Sequence, residues 1–171
     1  LGVEVLRDAG HPVAPLVDRD AVLRELFPDA PPGTLTGLDL AFSRLKLDLG
    51  VTADEVAADP TPGEVGAAFV RYEQALAARG GLDFDDLVAR ALRLLRREPD
   101  VLGRWRARCG TLLVDEAQDL DRSQLELALL LAAPGNDVFL VGDDDQTIYG
   151  WRLADVRRVL GLAASLPGLR R

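Results

Sequence analysis

Two short, continuous apolar runs stand out in the second half of the chain. Thr111-Leu112-Leu113-Val114 runs straight into Asp115-Glu116, and Val138-Phe139-Leu140-Val141 runs into Gly142-Asp143. Runs of this length and composition predict parallel strands buried on both faces. Between them, Ser123–Ala133 is predicted as a helix, stopped by Pro134-Gly135, and Leu153–Ala164 as another, with Val156, Val159 and Leu160 on one face. Strand, helix, strand, helix at this spacing implies parallel strands joined by a crossover.

The first half has a different period. Val65, Ala68, Phe69, Tyr72 and Leu76 fall at i, i+3, i+4, i+7 and i+11, the inner face of a helix that Gly80-Gly81 stops. Asp83–Arg97 is predicted helical, with Leu87, Val88, Ala91, Leu92 and Leu95 on one side, arginines in its last turn and Pro99 ending it. Asp18 caps a short helix through Leu26 that Pro28 closes, 29–33 is a loop, and Leu35–Leu49 is a helix ending at Gly50. Thr52 with Glu55 and Thr61 with Glu64 form capping boxes, the second with Pro62 at the first helical position. Residues 1–108 thus read as a mainly helical region and 109–171 as an α/β region.

Composition narrows the possibilities. With 171 residues and 48% apolar content, the chain can bury a core. The longest apolar run, Leu127–Ala133, is too short to cross a bilayer, and no signal peptide opens the chain. Cys109 is the single cysteine, which fits a reducing, cytoplasmic setting. With His11 the single histidine, a zinc site of the usual Cys and His ligands is excluded. The formal charge of −8 argues against nucleic-acid binding through a broad basic surface, though not against local grip by stacking and a few cations. The chain opens on Leu1 and contains no Met, so it is expected to begin inside a longer reading frame.

The candidate chemistry lies where the strands end, because ligands of open parallel sheets bind outside the carboxyl ends of the strands. A strand entering Asp-Glu suits a nucleotide site. Mg²⁺ keeps several waters and needs only one or two protein carboxylates beside the phosphates, a role for Asp115. Glu116 would face the attacking water and accept its proton. Asp143, at the end of the second strand, is placed to contact Mg²⁺ or its waters.

DEAQD at 115–119 and GDDDQTIYGWR at 142–152 together resemble motifs II and III of the UvrD/Rep/PcrA group of superfamily 1 DNA helicases. LDFDDL at 82–87, with Tyr72 upstream and Pro99–Leu102 downstream, resembles the segment that precedes motif II. The resemblance is specific over 82–156 and weaker over 1–81, where such helicases carry a mostly helical insertion. It implies an α/β fold, half of a RecA-like P-loop NTPase sheet with a helical insertion subdomain. It also implies ATP and Mg²⁺ as ligands, and single-stranded DNA and duplex-DNA junctions as partners, with 3′-to-5′ translocation. Asp115 resembles the metal-coordinating acid, Glu116 the catalytic base and Gln146 the glutamine that senses the γ-phosphate. Tyr149 and Trp151 resemble the aromatics that stack on bases, and Arg152 the arginine between the nucleotide and DNA sites. Gln118 and Asp119 match the motif as coupling or positioning residues.

Two departures qualify this. The group has Gly-Ala after Trp-Arg, whereas Leu153 precedes Ala154 here, and Leu takes a positive φ only at a cost, so the turn after Arg152 is expected to differ. No G-x-x-x-x-G-K-[ST] loop occurs, and in the group that loop lies upstream of the helical insertion, so the chain is expected to be an internal fragment. Two alternatives stay open: the helicase subunit of a helicase–nuclease complex, and a non-catalytic DNA-binding or interaction protein on a degenerate helicase fold. Elsewhere, Asp144 and Asp145 read as turn acids, Asp85 and Asp86 as helix-flanking acids, His11 as a surface residue, and Phe84 and Trp105 as core.

Overall fold

A computed structural model describes residues 1–11, 13, 15–59, 63–133, 135, 137–143, 153 and 156–162. The chain divides into two compact units, Leu1–Arg97 and Glu98–Arg171.

The first unit is helical: α1 Gly2–Asp8, α2 Arg19–Leu26, α3 Pro32–Ser43, α4 Ala53–Ala58, α5 Gly63–Ala78 and α6 Phe84–Arg97. Its caps follow local chemistry. The Asp18 side chain accepts from the Asp20 amide, and Thr52 and Glu55 form the reciprocal box at the start of α4. The box expected from Thr61, with Pro62, lies outside the described residues. The helix expected over Leu35–Leu49 starts earlier, at Pro32, and its last part, Arg44–Leu49, widens into a π-helical turn before Gly50 at φ 68°. α1 carries no strong periodic signal, and it packs against α6.

Val22, Leu23, Leu35, Phe42, Val56, Phe69, Tyr72 and Leu76 form the core of this unit. The Phe42 ring meets Phe69 edge-on at 5.4 Å between centroids and Tyr72 at 5.2 Å. Phe84, expected in the core, is instead 72% exposed. It occupies the first position of α6, and the inner side of that turn is taken by polar groups. Asp83 Oδ1 accepts from the Asp86 amide, and Asp86 Oδ2 accepts from the Asp83 amide.

Asp83 is the polar centre of the unit. Its Oδ2 accepts from Arg19 Nη2 at 2.7 Å, Lys46 Nζ at 2.9 Å and the Tyr72 hydroxyl at 2.8 Å. Lys46 is itself buried, with Nζ 2.7 Å from Glu73 and 3.0 Å from Asp86. The Glu73, Asp83 and Asp86 oxygens lie close enough together to suit a cation, and the Lys46 ammonium fills that role. Burial opposes the charged form of Asp83, but Lys46 and Arg19 outweigh it and hold the carboxyl well below the usual carboxylate range. Burial likewise opposes the charge on Lys46, yet Asp83, Asp86 and Glu73 keep its affinity for the proton above the ordinary value.

The second unit holds α7 Pro99–Arg108, β1 Thr111–Val114, α8 Arg122–Ala132, β2 Asp137–Leu140 and α9 Val156–Leu160. Pro99 does more than stop α6: it occupies the first turn of α7, where its missing N–H costs nothing. The helical composition continues to residue 108, but α7 packs on α8 and belongs with the strands. Arg106 Nε donates to the Leu130 carbonyl, and Trp105 is buried as expected. Asp121 and Gln124 form a capping box that starts α8 just ahead of Ser123.

β1 and β2 pair in parallel, with Thr111 opposite Asp137 and Val114 opposite Leu140. The expected crossover is present: α8 connects them and packs on both. The expected burial on both faces is not. Leu113 and Phe139 are 73% and 62% exposed, because among the described residues α8 covers only the other face of the pair. No described helix is long and apolar enough to cross a membrane.

Asp83→Asn removes the charge on which Arg19 and Lys46 converge, and breaking one partner of a buried ion pair costs about 3–5 kcal/mol. Denaturant unfolding of the chain at neutral pH should show a loss of that size in the first unit. Because the folded Asp83 carboxyl titrates below its unfolded value, its contribution is fully present above about pH 4 and fades only as pH falls through the depressed folded value. The gap between parent and variant should therefore close only in strong acid, and a gap that closes above pH 5 would refute the assignment.

Candidate functional site

The site is built at the carboxyl ends of the parallel pair. Past Val114 the backbone turns sharply: Glu116 takes φ 51°, and Ala117–Asp119 form a single 3₁₀ turn. A non-glycine residue in this region stores roughly 1–3 kcal/mol of strain and persists only where its surroundings hold it. Three hydrogen bonds do so. The Val141 amide donates to the Val114 carbonyl at 2.8 Å, the Ala117 amide to the Val141 carbonyl at 2.8 Å, and the Asp119 amide to the Glu116 carbonyl at 2.9 Å. The parallel register thus continues past both strands and locks the two loops together.

Asp115 and Glu116 are both exposed at this edge, as groups that meet a soluble ligand must be. Asp115 Oδ1 accepts from the Glu116 amide at 3.0 Å. Asp143 arrives from the end of β2, and its amide donates to Gln118 Oε1 at 3.0 Å. Gln118 is only 2% exposed, and its Nε2 donates to Glu116 Oε2 at 2.7 Å. Asp115, Glu116 and Asp143 are therefore gathered at one edge, as the strand ends predict. All three are exposed, and they share this edge without closing on one another: among the described residues only Glu73, Asp83 and Asp86 bring three carboxylate oxygens within 4.8 Å of each other. Gln146, Tyr149, Trp151 and Arg152, like Asp144 and Asp145, lie outside the described residues.

Gly142 marks the tightest approach in the site. A Cβ there would lie 2.5 Å from Gln118 Oε1 and 3.2 Å from the Gln118 amide nitrogen, so the loop closes only around a residue without a side chain. The sequence carries a signal for this in the Gly142 that follows β2, but nothing in it identifies Gln118 as the group Gly142 meets. Leu153 takes φ 68°, the left-handed region that favours glycine, while the rest of the turn after Arg152 lies outside the described residues. Arg158 Nη1 donates to the Leu153 carbonyl at 2.9 Å and helps to hold it.

The helicase signature extends beyond these two loops. The sequence profile of the UvrD/REP helicase N-terminal domain matches residues 38–167. The chain is 36% identical over 129 residues to an ATP-dependent DNA helicase PcrA of Staphylococcus aureus, covering 74% of this chain and 18% of that protein. It is 40% identical over 102 residues to an ATP-dependent DNA helicase Rep of Buchnera aphidicola, covering 60% of this chain and 16% of the relative. The chain thus spans under a fifth of the length of these relatives.

Leu153→Gly should relieve the left-handed strain and raise the stability of the chain by about 1 kcal/mol, read as a higher midpoint in thermal unfolding. A lower midpoint would show that the Leu153 side chain contributes more through packing than its backbone loses.

Proposed function

We infer the function from family membership: the chain belongs to the UvrD/REP helicase N-terminal domain family. In this reading it is part of an ATP-dependent DNA helicase, with residues 1–108 forming the helical insertion and its lead-in, of which α7 is the lead-in helix that packs with the α/β half. Residues 109–171 form the later part of a RecA-like motor domain. The observation that carries the reading is the convergence of Asp115, Glu116 and Asp143 at the carboxyl edge of a parallel pair, on sequences that match the helicase profile.

Asp115 and Asp143 would hold Mg²⁺ with ATP, and the bound cation would neutralise charge on the phosphates. Glu116 orients the attacking water and takes its proton at the carboxylate. Its backbone strain is consistent with this use, since residues held in costly conformations cluster where a side chain must be aimed. Gln146 reads the γ-phosphate: an uncharged amide hydrogen-bonds the phosphate without the standing attraction of a lysine. Tyr149 and Trp151 stack on bases of single-stranded DNA, worth roughly 1–3 kcal/mol per base and independent of sequence. Arg152 adds a phosphate or cation–π contact near the boundary of the two sites. The short spacing from Asp143 to Arg152 lets a change at the phosphate move a base, and so couples hydrolysis to 3′-to-5′ translocation and the opening of duplex junctions. A net charge of −8 fits this local, stacking grip better than a broad electrostatic one.

In the intact polypeptide that carries these residues, Glu116→Gln should abolish steady-state ATP turnover while leaving the dissociation constant of a fluorescent ATP analogue near the parental value. Parental turnover in that variant would remove Glu116 from the role of base.

A further inference from the structure

Gln118 is nearly fully buried, yet both ends of its carboxamide are committed to the site. Nε2 donates to Glu116 Oε2 at 2.7 Å, and Oε1 accepts from the Asp143 amide at 3.0 Å. A carboxamide is the group suited to this position, because it offers a donor to a carboxylate and an acceptor to a backbone N–H across one rigid plane. Gly142 leaves the space that Oε1 occupies, since a Cβ there would lie 2.5 Å from it. Glu116 is exposed and its side chain would otherwise sample several rotamers.

We propose that Gln118 is a positioning residue for the Glu116 carboxylate, holding it in register with the backbone that leaves β2. The orientation of the carboxylate then depends on where residues 142–143 sit, so movement of the segment after β2 is transmitted to the base through one side chain. This rests on the reading of Glu116 as the base. Because Gln118 reaches the reacting atoms only through Glu116, its loss should slow the chemical step and leave nucleotide binding intact.

The test uses the intact polypeptide and compares Gln118→Ala, Gln118→Glu, Gly142→Ala and Glu116→Gln. Gln118→Glu keeps the size of the side chain and the acceptor for the Asp143 amide, and sets a second carboxylate in place of the donor that faces Glu116. Both Gln118 variants should lose kcat by roughly 10- to 100-fold, with KM for ATP near the parental value. Gly142→Ala displaces Oε1 from the other side and should reproduce the kcat loss, and adding Gln118→Ala to it should cost little more. Gly142→Ala carries the test if the Gln118 variants do not fold. Parental kcat in Gln118→Glu, or losses from Gly142→Ala and Gln118→Ala that multiply, would overturn the proposal. If Glu116→Gln is inactive while Gln118→Glu turns over normally, the positioning role alone fails. If Glu116→Gln itself turns over normally, the reading of the base fails first.

Discussion

The parallel pairing of β1 with β2 is the constraint on which the site depends. An antiparallel pair would send Asp115-Glu116 and Gly142-Asp143 to opposite edges of the sheet, and no arrangement of side chains could reunite them. Parallel pairing brings both carboxyl ends to one edge, and it requires the crossover that α8 supplies. The ladder then runs on beyond the strands, through the Val141 and Ala117 amides. Those bonds offset the positive φ of Glu116, and the carboxamide of Gln118 completes the connection between the two loops. Local strain at one residue is thus held by regular hydrogen bonding at its neighbours.

The first unit has a corresponding centre in Asp83, of a different physical kind. Its carboxylate gathers Arg19 from α2, Lys46 from the π-helical turn and Tyr72 from α5 at the start of α6. Apolar groups of the same volume could stabilise such a centre as well or better, because taking ions out of water is costly. What the ions add is direction. Each donor must meet one oxygen, which fixes how the segments approach. The π-helical turn coincides with the place where Lys46 reaches inward to three carboxylates.

The strands and the helix between them were legible because short apolar runs ending in acid or glycine have few other structural solutions. The inner face of α5 was legible from Phe69 to Leu76, although Val65, expected on it, is 42% exposed, and the caps at Asp18 and Thr52 were legible because they are local patterns. Pro99 was legible as the end of α6, but its second role, opening α7, was not. Phe84 misled because hydrophobicity alone does not reveal that Asp83 and Asp86 occupy the inner side of that turn. The burial of Lys46 and the bond from Gln118 to the Asp143 amide join residues far apart in sequence, so no local pattern could disclose them. The exposed faces of Leu113 and Phe139 depend on what lies against the sheet, which strand composition does not encode. Asp115, Glu116 and Asp143 were legible as strand-end acids, and the roles expected of them rested on strand-end chemistry together with the helicase motifs.

If the edge formed by β1 and β2 holds the metal of a hydrolysable nucleotide, retention of that metal must depend on Asp115. Mn²⁺ substituted for Mg²⁺ tests it most directly, with electron paramagnetic resonance reporting metal held on the intact polypeptide with a non-hydrolysable ATP analogue. Asp115→Asn should release Mn²⁺ from that complex, weakening its retention by about 10-fold or more, while the analogue still binds. Retention of Mn²⁺ at the parental affinity in Asp115→Asn would contradict the account, because the metal would then be held elsewhere.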